Sequence, residues 1–304
     1  MNYSPIVLFT YNRPWHTKKT IESLQKNELA SESILYIYSD APKNEQAVEE
    51  VKKVREYIRT VKGFKDIKII EREKNYGLAK SIIDGVTTTI KKYGRIIVLE
   101  DDLITSPYFL NFMNEALEFY KDKKKVWHIS GWNYPINDNG LGDVFLWRVM
   151  NCWGWATWND RWSFYEKNVD KIINEFSSKD IKRFNLDGAE KFWDQIIANK
   201  KKKINTWAIF WYAIIFKNNG LCLNPTKTLV QNIGLDGSGV NCQKTDIFKS
   251  ELSMKKEFDF NIDLSENRVA VERIKEFYFS QKRTFFIRAI NKFSRIIIGR
   301  NLIK

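Results

Sequence analysis

The first hundred residues alternate between short apolar runs and amphipathic stretches, and this alternation restricts the chain to few folds. Apolar runs of four or five residues predict strands, while longer segments with apolar residues every three or four positions predict helices. The predicted strands are 6–9, 34–38, 67–70 and 96–99, and the predicted helices are 17–25, 46–61 and 78–92. Because strands that are apolar throughout are buried on both faces, the pattern indicates a mostly parallel sheet covered by helices.

Three polar segments follow predicted strands, at the edge of the sheet where α/β folds bind their ligands. They are residues 10–14, residues 39–42 and the acidic triplet 100–102. Three adjacent carboxylates at the end of a buried strand repel one another, and a divalent cation with oxygen ligands neutralises them most simply. The triplet therefore predicts a metal site.

The three segments together suit a phosphorylated nucleoside. Arg13 can donate two hydrogen bonds to phosphate oxygens, and Asp40 can accept from a base or a ribose. Lys80 lies in the first turn of a predicted helix and is a candidate phosphate contact. The alternative is that Arg13 and Asp40 are turn or capping residues and that Lys80 belongs to an ordinary helix start.

The middle of the chain is rich in tryptophan, which packs well in cores and also offers flat surfaces for sugar rings. For Trp132 and Trp155, each beside a glycine, both interpretations stay open. Residues 207–211 continue the aromatic pattern into a predicted buried helix that stops at 218–220. Between 127 and 162 the tryptophans are Trp127, Trp132, Trp147, Trp153, Trp155, Trp158 and Trp162.

The order of these segments resembles the GT-A glycosyltransferases related to N-acetylglucosaminyltransferase I and their bacterial relatives. The resemblance covers about residues 5–245 and rests on segments 12–13, 39–40, 99–102, 130–133 and 154–155. It implies an α/β, GT-A-like, Rossmann-type fold, with a mostly parallel sheet flanked by helices and a basic C-terminal helical appendage. The implied activity is metal-dependent transfer of a sugar, with inversion, from a UDP-sugar to a hydroxyl of a glycan or lipid-linked glycan precursor.

The resemblance also implies residue roles and a division of the chain. Asp102 would hold Mn²⁺ or Mg²⁺. Residues 1–130 would form the nucleotide-sugar-binding half, 131–245 the acceptor-binding half, and 246–304 the appendage. The donor-binding residues would be Thr10, Asn12, Arg13, Asp40, Lys80, Glu100 and Asp101. The acceptor or sugar pocket would contain Trp132, Asn133, Gly154, Trp155 and Trp207.

The position expected to hold the catalytic base carries alanine. Inverting transfer needs a base for the acceptor hydroxyl, and the related enzymes place an aspartate directly after a tryptophan. Here Trp207 is followed by Ala208, whose methyl group cannot take a proton. Three explanations stay open: the chain is an inactivated variant, it uses another carboxylate such as Asp194, or it has lost activity. Asp194 can equally be a solvated residue on the surface of a helix. Bacterial relatives carry a histidine near Asn241, so asparagine is a second departure.

The charge balance predicts an anionic partner. Fifty Lys and Arg against 37 Asp and Glu give a net charge of +13, which attracts nucleic acid, phospholipid or a phosphorylated substrate. The pattern of residues 282–304 predicts a basic amphipathic helix. Such a helix lies on an anionic membrane, or it docks on the domain or on a second copy of the chain in a homodimer. Three widely spaced cysteines fit reduced thiols. A cytoplasmic enzyme of surface-glycan synthesis, peripheral on the inner membrane face, is expected.

Co-sedimentation with anionic liposomes separates the two interpretations of the tail. If the tail binds membranes, the full-length chain sediments with the liposomes and a chain lacking 282–304 does not. Equal sedimentation of both forms would end the membrane hypothesis.

Two other classes of function compete with the transferase. A basic face with exposed aromatic rings can bind single-stranded nucleic acid, but this does not explain the acidic triplet unless the protein is a metal nuclease. Nucleic acid is therefore the less favoured partner. A sugar-phosphate nucleotidyltransferase uses similar carboxylates at strand ends, and it would consume a nucleoside triphosphate instead of a nucleotide-sugar.

Overall fold

The computed structural model describes residues 3–238 and 244–282, which form a large sheet flanked by helices. The strands are β1 (Ile6–Thr10), β2 (Ile34–Ser39), β3 (Asp66–Glu71), β4 (Arg95–Glu100), β5 (Leu103–Thr105), β6 (Val126–Ser130), β7 (Val144–Trp147), β8 (Trp155–Trp158), β9 (Leu221–Pro225) and β10 (Val230–Asn232). The α-helices are α1 (Pro14–Gln25), α2 (Val48–Ile58), α3 (Leu78–Tyr93), α4 (Phe109–Phe119), α5 (Asn159–Trp162), α6 (Val169–Glu175), α7 (Ser178–Phe184), α8 (Trp193–Lys200), α9 (Ala208–Lys217) and α10 (268–282).

Eight strands form one mixed, mostly parallel sheet, in the order β3-β2-β1-β4-β8-β6-β9-β7. Strands β1, β2, β3, β4, β6 and β9 run in the same direction, and β7 and β8 run against their neighbours. The polar segments after β1, β2 and β4 therefore emerge at one edge, as the sequence predicts. This confirms the predicted fold class.

Local sequence signals explain where the helices of the first half begin and end. Pro14 occupies the first position of α1, where its missing N–H costs nothing. Helix α3 ends at Gly94, which has φ +77 and donates its N–H to the carbonyl of Ile90 at 2.7 Å. Glycine adopts this left-handed conformation without the steric cost of a Cβ atom. These boundaries agree with the predicted helices to within a few residues.

A two-stranded antiparallel ribbon brings a distant segment to the same edge. Strand β10 pairs with β5, and Asn232 lies opposite Leu103. Since β5 follows the acidic triplet directly, the residues after β10 are carried back over that triplet. The local sequence pattern of residues 226–238 does not predict this contact.

The described part of the predicted appendage packs on the domain. The N–H of Ser253 donates to the carbonyl of Thr228 at 2.7 Å, and the Tyr120 hydroxyl donates to the carbonyl of Phe260 at 2.8 Å. On α10, the Tyr278 hydroxyl lies 2.6 Å from that of Tyr134. Residues 283–304, which hold nearly all of the predicted membrane helix, lie outside the described residues, as does Asn241. Within the described residues, none of the helices combines the length and apolar character needed to cross a bilayer.

His128 ties together three elements of the second half. It is fully buried on β6, its Nε2 lies 2.9 Å from the carbonyl of Asn151, and its Nδ1 accepts a hydrogen bond from Trp211 Nε1 at 3.2 Å. An indole N–H only donates, so Nδ1 is unprotonated and Nε2 carries the proton. Burial lowers the pKa of His128 to about 4. The His128 ring is therefore neutral in the folded state at neutral pH.

The titration of His128 should reduce the free energy of unfolding in acid. An unfolded histidine titrates near its ordinary pKa of about 6.5, so between pH 6.5 and 4 the unfolded state binds the extra proton. His128 alone should lower the free energy of unfolding by about 3 kcal/mol as pH falls through that window, while Glu100 and Asp101, whose pKa values are raised in the folded state, act in the opposite direction. Urea unfolding at several pH values measures this slope.

The variant His128→Gln should lack this contribution, because no titrating group remains there, so its stability relative to the wild type should rise by about 3 kcal/mol between pH 6.5 and 4. His16→Gln is the matched control, and it should keep the contribution of His128. Parallel acid slopes in the wild type and His128→Gln would contradict the assignment.

Candidate active site

The acidic triplet and the residues after β1 lie together because β1 and β4 are neighbours. The two strands are parallel, with Phe9 opposite Glu100. The backbone N–H of Tyr11 donates to Asp101 Oδ2 at 3.3 Å. Thr10 is buried at the end of β1, and Asn12 is partly exposed in the turn that follows. The predicted donor residues of these two strands thus form one cluster.

Arg13 is the cation of this cluster. Its Nη1 donates to Asp102 Oδ2 at 2.8 Å and lies 4.0 Å from Asp101 Oδ1. Its Nη2 donates to Ser238 Oγ at 3.1 Å, and its buried Nε has no hydrogen-bond partner. The guanidinium is largely buried, so its attraction to the carboxylates is weakly screened. A guanidinium with an unsatisfied buried N–H suits an anionic ligand such as a phosphate.

One guanidinium does not neutralise three acids. Burial, followed by repulsion from Asp102 and Asp101, raises the pKa of Glu100 to about 8. Burial and repulsion from Asp102 raise the pKa of Asp101 to about 7, although Arg13 acts in the opposite direction. The cluster therefore retains protons near neutral pH unless further positive charge arrives.

Residues 233–238 cover the cluster from the other side. The N–H of Ile233 donates to the carbonyl of Asp102 at 2.9 Å. A Cβ atom at Gly234 would lie 2.1 Å from Asp102 Oδ2, so only glycine fits there without displacing the carboxylate or the chain. The described part of this segment thus contacts the triplet directly.

Asp236 adds a fourth carboxylate to the site. Its Oδ2 lies 3.1 Å from His16 Nε2, and its Oδ1 lies 3.9 Å from Arg13 Nη2. Hydrogen bonds from the side chain and backbone of Ser238 lower the pKa of Asp236 to about 2. Burial and the nearby Arg13 lower the pKa of His16. Sequence reasoning missed both residues, because they lie 220 positions apart.

Asp40 organises a neighbouring loop. Its Oδ1 accepts from the N–H groups of Ala41 at 3.0 Å and Tyr76 at 2.9 Å. Its Oδ2 accepts from the N–H of Gly77 at 2.9 Å and from Asn75 Nδ2 at 3.2 Å. A carboxylate has about four acceptor positions, and these four bonds fill them. Asp40 can recognise a base only if one of these bonds is given up.

The loop held by Asp40 carries an aromatic ring that lies close to two cations. The Lys80 ammonium lies 4.3 Å from the centre of the Tyr76 ring, and the Arg72 guanidinium lies 4.5 Å from it. Lys80 is exposed in the first turn of α3. The structure thus places Lys80 near Asp40, at the same sheet edge as the triplet.

The donor atoms at the triplet fit a hard divalent cation. Carboxylate oxygens are the ligands that Mn²⁺ and Mg²⁺ prefer, and such ions commonly take one or two carboxylates and complete their shell with water and phosphate. Burial and repulsion among the carboxylates raise the pKa values of Glu100 and Asp101. Among residues 3–238 and 244–282, no group of three His, Cys, Asp or Glu side chains is arranged to hold a metal ion. An ion at the triplet would therefore need further ligands, such as water or a phosphate.

A cavity of about 240 Å³ lies in the second half of the chain. Its lining includes Trp132, Gln195 and Ala208, and Ala208 is the first residue of α9. Asp194 is exposed on α8 and does not belong to the lining, although the adjacent Gln195 does. The cavity thus adjoins position 208, where the resemblance implies an aspartate.

The other residues of the predicted sugar pocket have packing roles. Asn133 is fully buried and donates from Nδ2 to the carbonyl of Thr226 at 2.7 Å. Gly154 has φ +64, and a Cβ atom there would lie 2.8 Å from Val230. Trp155 is fully buried and stacks on Trp207 with ring centres 5.1 Å apart. None of these four residues lines the cavity, so of that predicted set Trp132 alone does.

A comparison with known protein families finds a match to the first part of the chain. Residues 1–151 match the model of the GNT-I family. No curated protein sequence matches the chain. The family match contains all the predicted donor-site residues and ends within the tryptophan-rich half.

Three solved structures are similar to the chain at low identity. TarS of S. aureus shares 16% identity over 46% of this chain and 22% of TarS, with a TM-score of 0.31. The mannosyltransferase PcManGT from Pyrobaculum calidifontis, solved with GDP-Man and Mn²⁺, shares 8% identity over 71% of this chain and 70% of its own, with a TM-score of 0.37. Mouse xyloside xylosyltransferase 1, in its apo form, shares 13% identity over 72% of this chain and 82% of its own, with a TM-score of 0.34.

The match of residues 1–151 to the GNT-I family and the mostly parallel sheet are consistent with a glycosyltransferase of the GT-A-like class. The match covers just under half of the chain and confirms the resemblance to N-acetylglucosaminyltransferase I.

Proposed function

We propose that the active form of this protein is a metal-dependent, inverting glycosyltransferase. It moves a sugar from a UDP-sugar to a hydroxyl of a glycan or lipid-linked glycan precursor. The observation that carries the proposal is the cluster of Arg13 with Asp101 and Asp102 at the carboxyl edge of the sheet. A site that joins excess carboxylates to a guanidinium with a free N–H accommodates a cation and a diphosphate together.

Within this proposal, each residue at the edge has a task. Arg13 holds the diphosphate through its guanidinium, and Lys80 adds a second positive charge nearby. Tyr76, positioned by Asp40, offers its ring to the nucleoside base. Glu100 and Asp101 face the sugar and ribose hydroxyls, which donate hydrogen bonds to carboxylate oxygens.

Asp102 would hold the Mn²⁺ or Mg²⁺ ion. When bound, such an ion stabilises the negative charge that grows on the departing diphosphate. The side chain of Asp102 pairs with Arg13 at 2.8 Å. Since the ion and the guanidinium would both carry positive charge, they would compete for Asp102, and Arg13 would also be available to the phosphates.

The acceptor enters at the cavity beside Ala208. Inversion requires a base on the acceptor side, opposite the leaving group. No Asp, Glu or His is among the described residues that line this cavity. We therefore infer that the present chain lacks its base, and that an aspartate at position 208 supplies it in the active form. An anion there would also be favoured by the N-terminal end of α9.

Restoring a carboxylate at position 208 tests the proposal. The variant Ala208→Asp should raise turnover of UDP-sugars with glycan acceptors by about 10²- to 10⁴-fold, the usual contribution of a general base. Chromatographic detection of released UDP and of the glycosylated acceptor measures it.

Ala208→Asn is the matched control, because asparagine has the size of aspartate and cannot act as the base. Its turnover should stay at the level of the Ala208 chain. If Ala208→Asp and Ala208→Asn have the same turnover, position 208 does not hold the base.

A further inference from the structure

Arg72 contacts two tyrosine rings, one in the core and one at the edge of the sheet. It directly follows β3, and its N–H donates to the carbonyl of Ser39 at 2.9 Å. Its guanidinium lies 5.0 Å from the centre of the Tyr38 ring and 4.5 Å from the centre of the Tyr76 ring. A planar guanidinium stacks well on aromatic rings. Arg72 therefore connects the ring of Tyr76 to the core.

The core end of this connection is rigid. Tyr38 is buried on β2, and its ring stacks on that of Phe9 with centres 5.4 Å apart and an angle of 22° between the planes. The Tyr38 hydroxyl lies 3.0 Å from Thr89 Oγ1, on α3. Two strands and a helix thus fix the ring on which Arg72 rests.

The charge and the backbone of Arg72 are already engaged. Its Nη2 donates to Asp84 Oδ2, on α3, and its carbonyl accepts from Arg55 Nη2 at 2.7 Å. The Arg72 side chain is only 13% exposed. A guanidinium neutralised by a carboxylate attracts an anion less than a solvated cation such as Lys80 does. The contacts of Arg72 therefore favour a role toward the ring of Tyr76 and not toward a phosphate.

Tyr76 is held at two separate points. Its backbone N–H donates to Asp40 Oδ1 at 2.9 Å, which fixes the chain but leaves the side-chain torsions free to change rotamer. The residue is half-buried, so the surrounding core does not enclose its ring. The contact with the guanidinium of Arg72 restrains the ring itself. The orientation of this ring therefore depends on Arg72.

We propose that Arg72 is a positioning residue for the nucleoside base of the donor: it holds the ring of Tyr76 in the orientation in which the base stacks on it. The proposal rests on the proposed function, which assigns the ring of Tyr76 to the base. A stacking surface acts on the base and not on the diphosphate. The effect of Arg72 should consequently appear only with ligands that carry a base.

Calorimetric titration of the full-length protein with UDP and with inorganic pyrophosphate, both in the presence of Mg²⁺, tests this difference. Arg72→Met should weaken UDP binding about three- to tenfold, which is part of the contribution of base stacking on an aromatic ring. It should change pyrophosphate binding by less than about twofold, because the diphosphate does not reach the ring. A residue that merely stabilised the fold would affect both ligands alike.

Arg72→Lys is the second variant, and it keeps the positive charge beside Asp84 while losing the flat guanidinium. It should weaken UDP binding about twofold or more and leave pyrophosphate binding unchanged, so the test stands even if Arg72→Met does not fold. Arg59→Met is the matched control. Arg59 pairs with Glu71 at 2.9 Å, on the same strand end, and its removal should leave both ligands as in the wild type. Lys80→Met should weaken both.

A double-variant cycle shows whether Arg72 acts through Tyr76. Tyr76→Ala removes the ring, so adding Arg72→Met to it should cause no further loss of UDP affinity. Independent effects would instead multiply. Multiplied effects, or an equal loss of UDP and pyrophosphate binding in the Arg72 variants, would overturn the proposal.

The wild type separates this proposal from the proposed function. If the wild type binds UDP and both Arg72 variants bind it as Arg59→Met does, the positioning role alone is wrong. If the wild type does not bind UDP at all, the proposed donor site is wrong, and the role of Arg72 falls with it.

Discussion

The ion pair between Arg13 and Asp102 is the contact on which the rest of this site depends. Burial and repulsion from the neighbouring carboxylates raise the pKa of Glu100 to about 8 and that of Asp101 to about 7, even with the guanidinium present. The arginine is held at the start of α1, next to the proline that begins the helix. Arg13 alone therefore does not return the pKa values of Glu100 and Asp101 to their ordinary range.

The same charges organise the surrounding chain. Residues after β10 return to the triplet through the ribbon with β5, and Asp236 links His16 and Arg13 across that return. On the other side, Asp40 fixes the loop that carries Tyr76. Contacts within the protein therefore hold the carboxylate cluster and the loop of Tyr76 in place. The cavity beside Ala208 is built differently, mostly from aromatic side chains.

Sequence patterns anticipate much of the fold and part of the site. Apolar runs and helical periodicity locate β1 to β4 and α1 to α3, because burial on both faces leaves a local signature. The triplet is visible because its members are adjacent. Contacts between distant segments leave no such signature, so the pairing of His16 with Asp236 was missed. The saturation of Asp40 was missed for the same reason, as was the cavity that Asn151 shares with α10. Tryptophan density alone could not separate Trp132 at the cavity from Trp155 in the core.

Calorimetric titration with UDP-sugars, with and without Mn²⁺, tests most directly whether the carboxylate cluster is a donor site. At least one UDP-sugar should bind, and its affinity should rise about tenfold or more with Mn²⁺, since the ion joins the carboxylates to the diphosphate. In the variant Asp102→Asn, which keeps the size of the side chain, this gain should disappear. Binding that is equally strong without Mn²⁺, or a gain that survives in Asp102→Asn, would contradict the assignment of Asp102.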